Sequence, residues 1–168
     1  MQIHIVADMI CPWCYIGKRQ FEQALAERPD LAPTIRWLPF QLNPDMPPEG
    51  MDRVDYLAGR FGAEAVKQMD TQMTELAKSL GLEVHFDEIN RVPNTLAAHT
   101  LSRWADAEGL QHQVIEALFE ANFVTGQDIG DTDVLCDIAE RVGMDPKVVR
   151  ERLEQGVDRD SVNQEDQM

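Results

Sequence analysis

The sequence predicts an α/β fold, one β-α-β unit followed by a long helical insertion, and three observations carry that expectation. Residues 3–7 open the chain as a short β-rich run, and residues 34–42 form a second with Ile35, Trp37 and Leu38 near its centre. Between them, residues 14–28 place Phe21, Ala24 and Leu25 at helical spacing and stop at Pro29-Asp30. Beyond Asn43-Pro44 the apolar pattern is helical almost throughout.

Pro39 lies inside the second run and has no N–H to give to a ladder, so that strand belongs at a sheet edge. A Pro-, Gly- and Met-rich stretch through Met51 reads as a loop. Residues 52–81 then set Leu57, Phe61, Met69, Met73, Leu76 and Leu80 on helical periodicity, with Gly59 and Gly62 as interruptions. Asn94 is the expected N-cap of a helix running through Leu96, Leu101 and Trp104 to about Glu108, closed by Gly109. Another passes through Ile115, Leu118 and Phe119 and stops near Gly126. Asp131 caps one that reaches Val142, and Asp145-Pro146 starts one that ends around Gln155-Gly156. The expected organisation is residues 1–44 as the first βαβ unit, 45–156 as the helical insertion and 157–168 as the return toward that unit.

A chain of 168 residues can bury one sizeable core but not two ordinary ones. Its net charge of −15 argues against nucleic acid and anionic membrane as partners, since both need a basic footprint. The excess is uneven. Residues 1–42 balance Lys18, Arg19, Arg28 and Arg36 against Asp8, Glu22, Glu27 and Asp30, so the acidic face lies elsewhere and serves solubility. No stretch approaches the run of about 18 apolar residues that a membrane span needs, and no signal-peptide pattern opens the chain. The expected compartment is therefore the cytoplasm, where paired thiols are catalytic or metal-binding more often than structural.

The strongest chemical signal is Cys11-Pro12-Trp13-Cys14, directly after a strand and at the start of a helix. A sulfur at a helix N-terminus faces unpaired backbone N–H groups and the positive end of the dipole, which favour thiolate over thiol. Cys11 is thus the expected nucleophile, and Pro12 suits the first helical position. Cys14, one turn on, is placed to attack the Cys11 sulfur and resolve a mixed disulfide. Zinc is the main competing reading, but a structural site needs four ligands. The only other cysteine is Cys136, and the sequence has neither a second cysteine pair nor a closely spaced histidine pair, so no metal is expected. Cys136 itself sits among Leu135, Ile138 and Ala139, which points to a buried, inert thiol.

The run Asp8-Met9-Ile10-Cys11-Pro12-Trp13-Cys14-Tyr15-Ile16-Gly17-Lys18 resembles the start of a DsbA-like thioredoxin-fold oxidoreductase of the FrnE type. Further segments resemble the same family in the same order: Trp37-Leu38-Pro39-Phe40-Gln41-Leu42-Asn43-Pro44, then Asn94-Thr95-Leu96-Ala97-Ala98-His99, then Leu118-Phe119-Glu120-Ala121-Asn122-Phe123 with Gly126 and Asp128-Ile129 behind it. The resemblance implies a thioredoxin-like fold with an all-helical insertion and protein disulfide oxidoreductase chemistry through a redox-active Cys11–Cys14 disulfide. No separate cofactor is implied; glutathione is a candidate co-substrate, and the expected partners are protein or small thiol and disulfide substrates. Related 2-hydroxychromene-2-carboxylate isomerases and kappa-class glutathione transferases usually carry serine at the place of Cys11. They supply the alternative function, a glutathione-dependent isomerase or transferase, which has no need of a resolving Cys14. A second alternative is a redox-regulated, chaperone-like peptide-binding module.

The family usually continues past the equivalent of Met168 into a Gly-Val-Pro-like segment, a β-hairpin and a last helix. The expectation that follows is a truncated chain whose C-terminal hairpin is missing. Its first strand would then lack a neighbour on one side, leaving the chain unstable or paired with another chain as a homo-oligomer. Lesser candidates carry plainer expectations. Trp13 and Pro12 tune the potential and contact substrate; Asn94 and His99 line the cleft or serve as cap and structural hydrogen bond. Asp8 either opposes the thiolate or solvates the strand end. Met69 and Met73 form a soft face or plain core. Lys18 and Arg19 are expected to face solvent.

Overall fold

The computed structural model describes residues 1–167. Strand β1 (Gln2–Ala7) and strand β2 (Thr34–Pro39) run parallel, Gln2 opposite Thr34 through to Ala7 opposite Pro39, and helix α1 (Pro12–Ala26) joins them. This is the predicted β-α-β unit, and among the described residues β1 and β2 pair only with each other. Strand β2 ends at Pro39 rather than at Leu42. Beyond it the Phe40 N–H still donates to Ala7 O at 3.2 Å, and the next two turn to side chains: Gln41 donates to Asp166 Oδ1 at 2.6 Å and Leu42 to Asp8 Oδ2 at 2.9 Å. On the outer edge of β2 the Gln111 amide stands in for a strand. Its Oε1 accepts from Trp37 N–H and its Nε2 donates to Trp37 O, both at 2.9 Å.

Helix α1 begins at Pro12, two residues ahead of the predicted Cys14, because proline at the first helical position loses no hydrogen bond and arrives with helical φ. The insertion opens with a two-residue antiparallel ladder of β3 (Met51–Asp52) against β4 (Arg91–Val92), too short to leave a pattern in sequence. Between these strands lie α2 (Arg53–Phe61), α3 (Ala63–Ser79) and a 3-10 turn, Phe86–Glu88. Gly62, at φ +84°, separates α2 from α3, whereas Gly59 sits inside α2 and interrupts nothing.

The remaining helices are α4 (Leu96–Ala107), α5 (Gln111–Phe123), α6 (Thr132–Val142), α7 (Pro146–Glu154) and α8 (Arg159–Asp166). Asp131 and Asp145 cap α6 and α7 as expected, each side chain accepting two N–H groups of the first turn. Thr95, not Asn94, is the N-cap of α4, yet the Asn94 Oδ1 accepts the Leu96 N–H at 3.0 Å. Asn94 thus supplies the capping oxygen from one residue earlier. Past α5, Gly126 has φ +62°, and a Cβ there would lie 2.4 Å from Glu88 O, so only glycine fits that approach.

One core runs through both parts. Leu101, Val114, Leu118, Phe119, Ile129 and Leu135 have no exposed surface, and Ala7, Tyr15, Ile16 and Trp37 of the β-α-β unit pack into the same cluster. Tyr15 fixes α1 onto α5: its ring stacks on Phe119 at 5.3 Å and on Phe123 at 5.2 Å. Lys18 makes a second tie. Contrary to the expected solvent-facing position, its side chain is buried between Glu22 of α1 and Glu116 of α5. Arg19 is half-buried as well. The charge of Lys18 is tolerated because two carboxylates meet it. Helix α8 packs against α4 and β2. Among the described residues, no helix is long and apolar enough to cross a membrane.

Candidate active site

Cys11 is the N-cap of α1, in extended conformation at φ −86° and ψ 113°. Its carbonyl accepts the N–H groups of Cys14 at 3.1 Å and Tyr15 at 3.2 Å, and its own N–H donates to Asp8 O at 3.0 Å. The sulfur is thereby held at the mouth of the helix. Both thiols of the pair are free and half-buried. The Cys14 thiol, the hydrogen-bond partner of the Cys11 sulfur, contributes most to lowering the Cys11 pKa, to about 7. Burial opposes the shift, the backbone N–H groups of Cys14 and Trp13 add to it, and the Asp8 charge works against it. Cys14 moves the other way, far upward, because its hydrogen is committed to Cys11 and burial penalises a second thiolate. The two shifts run in opposite directions, which makes Cys11 the more readily ionised thiol of the pair and Cys14 the one that holds its proton.

Asp8 is fully buried beneath the motif. Its Oδ2 accepts from Leu42 N–H at 2.9 Å and from Thr95 Oγ1 at 3.3 Å, while Oδ1 lies 3.4 Å from His99 Nε2. His99, equally buried, places Nε2 3.1 Å from Phe40 O, which requires the proton on Nε2. Asp8 is thus a weak opponent of the thiolate and, being fully buried, does not solvate the strand end as the other expectation had it but ties the end of β1 to α4 and to the chain after β2. His99 is structural, and Asn94 holds Met46 O at 2.7 Å through Nδ2, so neither reaches the sulfurs as a reactive group. Cys136 is buried, with its pKa raised by desolvation, which fits the inert thiol expected.

Cys11, Pro12 and Trp13 form one wall of a cleft of about 310 Å³ whose other walls come from the insertion and from Leu42 and Asn43 after β2. Its rim is apolar and open: Trp13 is 62% exposed, Phe61 49% and Met69 46%. Met69 is therefore a cleft residue, whereas Met73, one turn along, is core. Sequence reasoning missed the polar side of the cleft. Asn43, Arg53, Tyr56, Arg60 and Arg91 all line it, brought from three separate segments. Only the Tyr56–Arg60 spacing of one helical turn hinted at a shared face, and an arginine on an exposed helix ordinarily signals nothing. Among the described residues, no group of three or more His, Cys, Asp or Glu side chains is arranged to hold a metal ion.

The model of the family described as DSBA-like thioredoxin domain matches residues 2–168. The chain belongs to the DsbA-like thioredoxin family. This DsbA-like chain is 30% identical over 154 residues to YwbO of Bacillus subtilis, an uncharacterized protein, across 92% of the chain and 72% of that relative. Among solved structures it is similar to a probable DsbA oxidoreductase from Streptomyces coelicolor, with TM-score 0.90 and 25% identity over 99% of this chain and 74% of the other. A 2-hydroxychromene-2-carboxylate isomerase shares the fold at TM-score 0.75 and 14% identity, over 99% of this chain and 78% of that one. The thioredoxin-like fold that the family resemblance implied is thereby shown.

Proposed function

We propose that this DsbA-like chain, of the FrnE type, is a thiol–disulfide oxidoreductase that exchanges disulfides, those of proteins included, through Cys11 and Cys14. One observation carries the reading: a thiol with its pKa lowered to about 7 caps a helix at the mouth of an open cleft, with a second, protonated thiol as its hydrogen-bond partner. The Cys11 thiolate attacks one sulfur of a substrate disulfide. That S–S bond breaks, a Cys11–substrate disulfide forms, and the first substrate thiolate leaves and takes a proton from water. Cys14 then gives its proton to solvent and attacks the Cys11 sulfur, expelling the second substrate thiolate. Two electrons have passed from the pair to the substrate, and run backward the same steps oxidise a dithiol.

A protonated resolving thiol is what separates this reading from glutathione-dependent isomerisation, which needs only one activated thiol. The proposed compartment is the cytoplasm, and glutathione is a proposed co-substrate. The test is turnover of insulin disulfides with a dithiol reductant by wild type, Cys11→Ser and Cys14→Ser. Wild type turns over, Cys11→Ser does not, and Cys14→Ser accumulates mixed disulfides. Isomerisation of a chromene carboxylate with glutathione that survives Cys14→Ala would move the protein to the isomerase class. Holding of unfolded chains without turnover would make it a binding module.

A further inference from the structure

We propose that the cleft beside Cys11 selects small disulfides bearing a carboxylate a few bonds from the sulfur, and that Arg60 is the residue that grips the carboxylate. The inference rests on the exchange reading above and narrows its substrate class.

The chain carries a net charge of −15, yet the charged side chains lining this cleft are three arginines, Arg53, Arg60 and Arg91, against one aspartate, Asp70. A positive cleft in an acidic protein focuses field toward one kind of ligand. The three arginines are not equivalent. Arg53 is committed to Asp70, with Nη2 at 2.7 Å and 2.9 Å from its two oxygens, and Arg91 is held by Glu49 O and by Asp128 at 3.6 Å. Arg60 alone among them pairs with no carboxylate of the described residues.

What Arg60 does have is a support. Its Nη1 donates to Tyr56 Oη at 2.7 Å and to Asn43 Oδ1 at 3.3 Å, and Tyr56 Oη in turn donates to Asn43 Oδ1 at 2.5 Å. The guanidinium carbon lies 6.0 Å from the Tyr56 ring centroid and 5.8 Å from that of Phe61. Both bonds use Nη1, so Nε and Nη2 carry no partner among the described residues. Those two nitrogens are the side-on edge that takes a carboxylate in bidentate fashion. An arginine oriented by one nitrogen and two rings, lining the cleft that also holds Cys11 and with two nitrogens uncommitted, is pre-organised for an anion. The volume of about 310 Å³ suits a small molecule, and the apolar rim takes the methylene groups between sulfur and carboxylate.

The test compares three disulfides that differ chiefly in charge: 3,3′-dithiodipropionate (two carboxylates), bis(2-hydroxyethyl) disulfide (neutral) and cystamine (two ammonium groups). Second-order rates of the fully reduced protein with each are divided by those of 2-mercaptoethanol with the same disulfide, which removes intrinsic leaving-group differences. The expected result is a normalised preference for the dicarboxylate over the neutral disulfide of about tenfold or more, the worth of a charge-assisted bidentate pair. Arg60→Gln should collapse that ratio toward one, and Arg60→Lys, which keeps the charge without the fork, should retain part of it at low salt only. The ratio is insensitive to a partial loss of folded protein, since both rates fall together. Equal normalised rates for all three disulfides, or a dicarboxylate preference that survives Arg60→Gln, would overturn the inference and leave the exchange reading intact. Failure to react with any of the three and with insulin would overturn both.

Discussion

The rings of Tyr15 and Phe123 stack 5.2 Å apart with their planes 8° from parallel, so the residue next to Cys14 is anchored to the last turn of α5. Tyr15 is only 6% exposed and stacks on Phe119 as well. The helix that carries both sulfurs is therefore positioned by the insertion. Tyr15→Ala should lower stability by about 3–5 kcal/mol, the range for removing a large aromatic from a core. Tyr15→Phe keeps both stacked contacts and should cost less than about 1 kcal/mol. Urea unfolding of the two variants reads the difference directly, and equal losses would place the importance in the hydroxyl instead of the ring.

Asp8→Asn should shift the Cys11 thiol further down, because it removes a negative charge that opposes the thiolate. The shift is a small one, since Asp8 is the weakest of the influences acting on Cys11. Stability should fall at the same time. An asparagine oxygen can still accept the Leu42 N–H, but its NH2 then faces His99 Nε2, whose proton is directed toward Phe40 O. Two donors facing each other in a buried site cost about 1–3 kcal/mol. The pH profile of iodoacetamide alkylation measures the first effect and thermal melting the second. An upward move of the alkylation midpoint would contradict the assigned sign.

Much of the fold was legible because its signals are local. Asp131, Asp145-Pro146 and the Cys11-Pro12 helix start act through backbone groups within a turn of themselves, so sequence and structure agree there to within a residue or two. What was not legible depends on distant partners. Lys18 reads as a surface charge until Glu116, on a helix far along the chain, arrives to bury it. Gly59 and Gly62 look alike in sequence, yet only Gly62 adopts positive φ and breaks the helix. At the candidate site the two sulfurs were readable from their spacing. The arginine side of the cleft was not, because Arg53, Arg60 and Arg91 come together only when the short β3–β4 ladder closes the insertion.

Lys18→Met should destabilise the protein by about 1.5–3 kcal/mol, the usual worth of hydrogen bonds to charged groups. The Lys18 side chain is 3% exposed, while its partners Glu22 and Glu116 are 30% and 48% exposed. Methionine fills the buried stem, and the two glutamates can turn outward, which keeps the loss well short of a stranded buried charge. Chemical unfolding at low and high salt checks this. A loss that vanished in high salt would mean that the Lys18 charge is solvent-screened and not enclosed.

The cysteine pair should leave its own signature in the pH dependence of stability. In the folded dithiol Cys11 ionises near pH 7 while Cys14 holds its proton far above its ordinary range. In the unfolded chain both thiols ionise near an ordinary value of about 8.5. Between about pH 7 and 8.5 the unfolded state therefore binds more protons than the folded one, and stability rises with pH. Above about 8.5 the sign reverses, since the unfolded chain gives up both protons while the folded one retains that of Cys14. The unfolding free energy of the reduced protein minus that of a Cys11→Ser/Cys14→Ser variant should thus pass through a maximum near pH 8.5, with Cys136 cancelling because both proteins carry it. The curve alone would look the same with the two roles exchanged, so alkylation fixes the identity: near neutral pH the singly modified protein should carry the label on Cys11. Cys14→Ala removes the thiol donor that does most to lower the Cys11 pKa, and should move the alkylation midpoint upward from about 7. A midpoint that stayed in place would assign the lowering to the helix N-terminus instead of to Cys14.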